Sequence, residues 1–151
     1  MNTTTYLTIP DEHHSGVLYK GSCTFEDLFP LPDFDFLTIP DIDAEALSVL
    51  RKRLNAYEIV VFLGTWCEDS YNMIPRLYHV LKAADYPLEQ IRMYAVDREK
   101  QSLHGEAESY HIRHIPVVIL IKDGTEQGRI TEQVQLSVEQ DLTNIIPSNL
   151  V

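Results

Sequence analysis

The chain has 151 residues, 44% hydrophobic and 23% charged, the balance of one ordinary globular domain with a real core. A formal charge of −11 at pH 7 excludes a phosphate-neutralising nucleic-acid surface, and no apolar run is long enough to span a membrane. Two cysteines, Cys23 and Cys67, are too few for a disulfide scaffold or an all-sulfur zinc site. The first five residues lack the basic start and apolar run of a secretory signal, so the expected location is cytoplasmic.

Residues 1–40 read as an N-terminal extension of short strands and irregular chain. Stretches 4–9 and 17–20 are β-prone, and Phe29-Pro30-Leu31-Pro32-Asp33 breaks regularity. Residues 41–151 read as a single α/β domain. Asp41 or Asp43 can cap a helix whose apolar stripe is Ala46, Leu47, Leu50 and Leu54. Ile59-Val60-Val61-Phe62-Leu63 is a continuous β-branched and aromatic run, as in a strand buried on both faces. Gly64-Thr65 ends it, and a helix opens near Cys67 with Pro75 inside, where the missing N–H predicts a kink.

A second buried strand is expected over 91–96 and a helix over 102–110. Pro116 starts a third apolar strand, 117–121. Asp123-Gly124 is a two-residue hairpin signal, so the next strand, through Ile130, should run antiparallel to it. A closing helix is expected over 137–146, with Ser137 as its cap and Leu136 as a hydrophobic staple. This order predicts a mixed α/β sandwich, a central sheet flanked by helices.

Trp66-Cys67-Glu68-Asp69-Ser70, placed after a buried strand and opening a helix, resembles the active-site turn of the thioredoxin superfamily. Pro75 sits where thioredoxins carry a helix proline. Ile112-Arg113-His114-Ile115-Pro116, leading into a strand and an Asp-Gly hairpin, resembles the superfamily's cis-proline loop. The resemblance covers residues 41–147 and implies a thioredoxin-like fold. It also implies that Ile115-Pro116 is cis and lies against Cys67, with Ile115 offering its backbone to an extended partner.

Three departures bear on mechanism. The second cysteine of the family's C-x-x-C is Ser70, the buried acid six residues before the first cysteine is Val61, and the buried lysine aligns with Met93. In the family that acid and lysine serve the second cysteine. Their joint loss is coherent, because a buried unpaired charge with no thiol to serve only costs stability.

Cys67 falls at a helix start, where unpaired N–H groups and the macrodipole favour a thiolate, while Glu68 and Asp69 oppose it. Ser70 either donates to the Cys67 sulfur or fills a small position. Trp66 either walls the thiol and meets partners or packs on the helix start. His114 either hangs over the cysteine or is an exposed loop residue; His111 reads as helix-end structure. Asp11-Glu12-His13-His14 has no helical spacing and no third ligand, so no metal is expected. Cys23 is either a remote resolving thiol or a buried structural cysteine.

These residues point to a monothiol thiol–disulfide exchange protein acting on protein or glutathione disulfides, by isomerisation or deglutathionylation, with glutathione as external thiol and no bound cofactor. Catalysis would rest on Cys67 and Ser70, and substrate binding on Trp66, His114, Ile115 and Pro116. His-Ile-Pro in place of Thr-Val-Pro argues against a glutaredoxin-type cluster. The alternative is a non-catalytic thioredoxin-fold module that docks a peptide beside Trp66 and Pro116.

Overall fold

Among the described residues, six strands form one mixed sheet in the order β1-β2-β4-β3-β5-β6. They are β1 (Leu7–Pro10), β2 (Val17–Cys23), β3 (Glu58–Leu63), β4 (Arg92–Ala95), β5 (Val117–Lys122) and β6 (Thr125–Thr131). Only β3 and β4 run parallel; every other pairing is antiparallel. The computed structural model describes residues 5–147, so Thr4, at the expected start of the first strand, lies outside them. Within those residues five α-helices accompany the sheet: α1 (Phe25–Leu28), α2 (Ala44–Arg53), α3 (Glu68–Ala83), α4 (Glu106–Ser109) and α5 (Val138–Ile145).

The apolar run in β3 makes it a strand buried on both sides, and its alternation divides the core in two. Ile59, Val61 and Leu63 face a large cluster with residues of α1, α2, α3 and α5, including Leu28, Leu50, Leu77 and Leu142. Val60 and Phe62 face a smaller cluster closed by Ala107 of α4 and by Ile115. Each fully buried large side chain contributes about 1.5–3 kcal/mol relative to exposure.

The segment before residue 41 supplies two strands and a helix to this same body. β2 pairs with β4 through Gly21, Ser22 and Cys23, and Phe25, Leu28 and Phe34 enter the large cluster. The hairpin turn closes as expected: Lys122 pairs with Thr125 across Asp123 and Gly124, both at positive φ (54° and 77°). Asp43, not Asp41, caps α2, its carboxylate accepting from the Ala46 amide at 2.8 Å. α3 runs unbroken from Glu68 to Ala83 with Pro75 inside it.

Two expectations fail for local reasons. The helix expected over 102–110 shrinks to the single turn of α4. Gly105 stands before it at φ 81°, a left-handed conformation that no helix can propagate through. The Ser102 hydroxyl instead accepts from the Ala107 amide at 2.8 Å. Leu136 forms no staple and is 66% exposed. The residue it would meet, one turn into α5, is Asp141, whose carboxylate accepts the Gln135 and Leu136 amides at 2.6 and 3.1 Å. A polar clamp replaces the apolar one. Ser137 does cap α5, accepting from the Gln140 amide at 3.1 Å.

Candidate active site

Where β3 ends, Gly64-Thr65-Trp66 turns the chain into α3, and Cys67 takes the N-cap position with extended backbone (φ −104°, ψ 121°). Its amide donates to the Gly64 carbonyl at 3.1 Å, and its carbonyl accepts the first helical bond, from the Tyr71 amide at 3.2 Å. The Cys67 side chain makes no capping bond to the first turn of α3, whose leading amides have no intrahelical partner, and it packs against the smaller cluster. It is half-buried, and its sulfur lies 3.9 Å from the Ile115 carbonyl oxygen. The Ile115-Pro116 peptide is cis. Two stretches of chain nearly fifty residues apart thus meet at the thiol.

Ser70 is fully buried, and its hydroxyl oxygen accepts the Gly64 amide at 3.1 Å. It therefore ties the head of α3 to the end of β3. Val61 and Met93 are directly paired across β3 and β4, face the large cluster, and are 0% and 2% exposed. The same row continues to Cys23, which pairs with Met93 on its other side. Burial pushes the Cys23 thiol up to about 12, with Asp27 adding to it. Cys23 sits as an un-ionised apolar side chain in an apolar row, with no disulfide to Cys67.

The Trp66 indole packs beside Cys67 against the smaller cluster and donates its N–H to the Val96 carbonyl at 2.9 Å. Gly64 makes room for it. A Cβ at residue 64 would stand 2.8 Å from the indole ring and 2.8 Å from the Ile115 side chain, closer than atoms can approach. Thr65 is held from two sides, its hydroxyl accepting the Tyr19 amide at 3.1 Å and its carbonyl accepting the Tyr71 hydroxyl at 2.9 Å. Burial pushes the Tyr71 phenol up, and the nearby Asp33 and Cys67 charges push the same way.

His114 is 61% exposed at the rim, with its Nδ1 3.7 Å from a carboxylate oxygen of Glu132. The Glu132 amide donates to the Pro116 carbonyl at 2.7 Å, so the proline loop and the end of β6 are laced together. A cavity of about 290 Å³ opens beside the first turn of α3, lined by Asp69, Asn72, Arg76, Glu132 and Gln133 among others. Among the described residues no group of three or more His, Cys, Asp or Glu could hold a metal ion. His13 and His14 do not gather one, and Asp11 is engaged by Arg98 at 2.7 Å.

Of the residues singled out in the sequence, Cys67, Ser70, Trp66 and Ile115 gather at the head of α3, Pro116 joins Ile115 through the cis peptide, and His114 stands exposed at the rim. Gly64, Thr65 and Tyr71, which shape the turn, were not among them. A glycine directly between a buried strand and a Trp-Cys pair is a signal for close backbone approach. The others carried no local pattern.

The family model for thioredoxin matches residues 46–146, more than half of the chain. A curated thioredoxin of Chlamydia pneumoniae is 33% identical over 88 residues, 58% of this chain and 78% of the relative. Among solved structures, the chain is similar to the thioredoxin of Fasciola hepatica (21% identity, 68% of this chain, 89% of that one, TM-score 0.43). It is also similar to thioredoxin O2 of Arabidopsis thaliana (20% identity, 67% and 80% covered, TM-score 0.43). With the fold and the matched residues in place, the chain belongs to the thioredoxin family.

Proposed function

We propose that this protein exchanges thiols and disulfides through Cys67 alone, in a monothiol cycle. The Cys67 thiolate attacks one sulfur of a disulfide R–S–S–R′, forming a Cys67–S–S–R bond and expelling R′ as a thiolate. An external thiolate, with glutathione as the natural class, then attacks the R sulfur and frees Cys67. No net electrons pass to the protein in the complete cycle. Isomerisation and deglutathionylation are the reactions such a cycle serves, and a reducing, cytoplasmic setting would supply the external thiol.

One observation carries this reading. The position that would hold a resolving thiol is Ser70, fully buried and occupied in accepting the Gly64 amide. A hydroxyl has negligible nucleophilicity toward sulfur, so the mixed disulfide meets no internal attacker. Cys23 supports the same reading, because its raised pKa and burial make it a poor substitute. Apolar Val61 and Met93 offer no proton relay. Trp66, Ile115 and Pro116 would flank an extended partner, with His114 and Glu132 at the rim. The strand pair before residue 41 would be an addition to the family domain that follows it.

The test is intact-mass spectrometry after incubation with glutathione disulfide or a glutathionylated peptide. Wild type and Cys23→Ser should each gain one glutathionyl group, and Cys67→Ser none. Absence of an adduct on wild type would leave a docking module in place of an exchanger.

A further inference from the structure

Trp66 is the only tryptophan in the chain, and its indole is held from outside its own turn. The N–H is fixed by Val96 at 2.9 Å, and the ring carries the Arg98 guanidinium at 5.2 Å from its centroid. Arg98 is itself fixed. Its Nε and a terminal nitrogen each donate to one oxygen of the Asp11 carboxylate, at 2.7 and 3.0 Å, in the two-pronged geometry that orients a guanidinium plane. Asp11 follows β1 directly, and its amide closes the β1–β2 loop by donating to the Gly16 carbonyl at 3.1 Å.

The backbone that carries Arg98 is anchored from the same direction. Asp97 accepts the Glu99 and Gln101 amides at 3.0 and 2.9 Å, which curls the loop after β4. It also pairs with Lys20 of β2 at 3.0 Å. Two ion pairs therefore join the N-terminal strand pair to the loop after β4, which touches Trp66, and Tyr19 of β2 reaches Thr65 beside it. Both ion pairs are largely covered, with exposures of 23% and 10% for Arg98 and Asp11, where water and salt compete less.

We propose that Asp11 and Arg98 form a positioning pair that presses Trp66 into place beside Cys67, making the N-terminal strand pair a working part of the exchange site. The inference rests on the reading of Cys67 as the exchanging thiol. Arg98 does not act on the disulfide. It holds the wall along which a peptide must lie, so it affects bulky partners and leaves small electrophiles indifferent.

Because one indole reports for the whole protein, fluorescence isolates its position. Asp11→Asn and Arg98→Gln should red-shift the emission and raise acrylamide quenching, while Arg98→Lys, which keeps the charge but loses the two-pronged grip on Asp11, should fall between. Mixed-disulfide formation with a glutathionylated peptide should slow roughly two- to fivefold, the range a lost cation–π contact supports. Alkylation of Cys67 by iodoacetamide should stay within the scatter of wild type. The exchanged pair, Asp11→Arg with Arg98→Asp, separates positioning from folding. It should recover thermal stability through the restored ion pair but not the emission, since the guanidinium now sits on the far side.

Unchanged emission and quenching in Asp11→Asn and Arg98→Gln would overturn the positioning role. A shifted emission with unchanged peptide exchange would overturn its part in the site. Full recovery of emission and exchange in the swapped pair would reduce the contact to a structural ion pair. Should wild type form no adduct at all, the monothiol reading fails, and the fluorescence arm still decides whether the pair positions Trp66.

Discussion

The end of β2 and the head of α3 each carry a cysteine, and the two regions treat it oppositely. Cys23 lies in a row with Met93, Val61 and Val118 that crosses four strands of the sheet inside the large cluster. Burial there holds the thiol protonated. Cys67 stands past the end of β3, at the N-cap of a sixteen-residue helix, half-exposed and within reach of the Ile115 carbonyl. The same functional group is packing material in one place and a candidate nucleophile in the other. What separates them is the depth of burial and the supply of unpaired backbone N–H groups.

The largest contrast is between the cysteines themselves. Cys67→Ser should abolish mixed-disulfide formation altogether. Cys23→Ser should leave it intact while lowering stability by about 1–3 kcal/mol, because a hydroxyl would be buried among apolar neighbours. Denaturant unfolding beside intact-mass analysis reads both. A Cys23→Ser protein that forms adducts poorly while still folded would erase the distinction.

Val61→Asp tests the apolar row from its middle. An acid there, with Met93 opposite in the apolar row, should cost about 3–5 kcal/mol in urea unfolding, as an uncompensated buried charge does. A near-neutral outcome would mean that the row admits water or a hidden partner. Gly64→Ala tests the other region. Its methyl group would meet the indole and Ile115 at 2.8 Å, so the ring must move. A cost of about 1–3 kcal/mol, typical of overpacking, should come with a shifted Trp66 emission and slower peptide exchange.

The smallest expected effect concerns acid. The Arg98 guanidinium holds the Asp11 carboxyl well below the usual carboxylate range. A carboxyl depressed in the folded state contributes stability above its unfolded value of about 3.9, and loses it only as pH falls through the lower folded value. Trp66 emission should therefore stay flat from neutral pH down to about 4 and change only below that. A midpoint at an ordinary aspartate value would mean that the pair is looser than its geometry.

Much of this contrast was readable along the chain, and the rest failed for a common reason. The β3 run, the Asp123-Gly124 hairpin and the Ser137 cap are local patterns, set by residues within a few positions of each other. The meeting of Cys67 with Ile115 and Pro116 was anticipated only through likeness to a family. Pairing of β2 with β4 joins residues some seventy positions apart, and no periodicity announces a partner at that distance. The Asp11–Arg98–Trp66 chain is longer still, and Asp11 read most naturally beside His13 and His14. Where local signals misled, a nearby residue outweighed them: Gly105 cut short the helix expected from 102, and Asp141 replaced the partner that Leu136 needed.

The monothiol cycle is tested most directly by the fate of a mixed disulfide at Cys67. Prepare the glutathionyl adduct of Cys23→Ser and of Cys23→Ser with Ser70→Cys, remove free thiol, and follow both by intact mass. The single variant should keep its adduct until thiol is added back, with a decay rate proportional to that thiol. The double variant places a thiol one helical turn from the adduct, at the cost of about 1 kcal/mol for the lost bond from the Gly64 amide. It should shed glutathione without added thiol, although slowly, since nothing at Val61 assists deprotonation. Rapid, thiol-independent loss of the adduct from the protein that retains Ser70 would contradict the monothiol cycle outright.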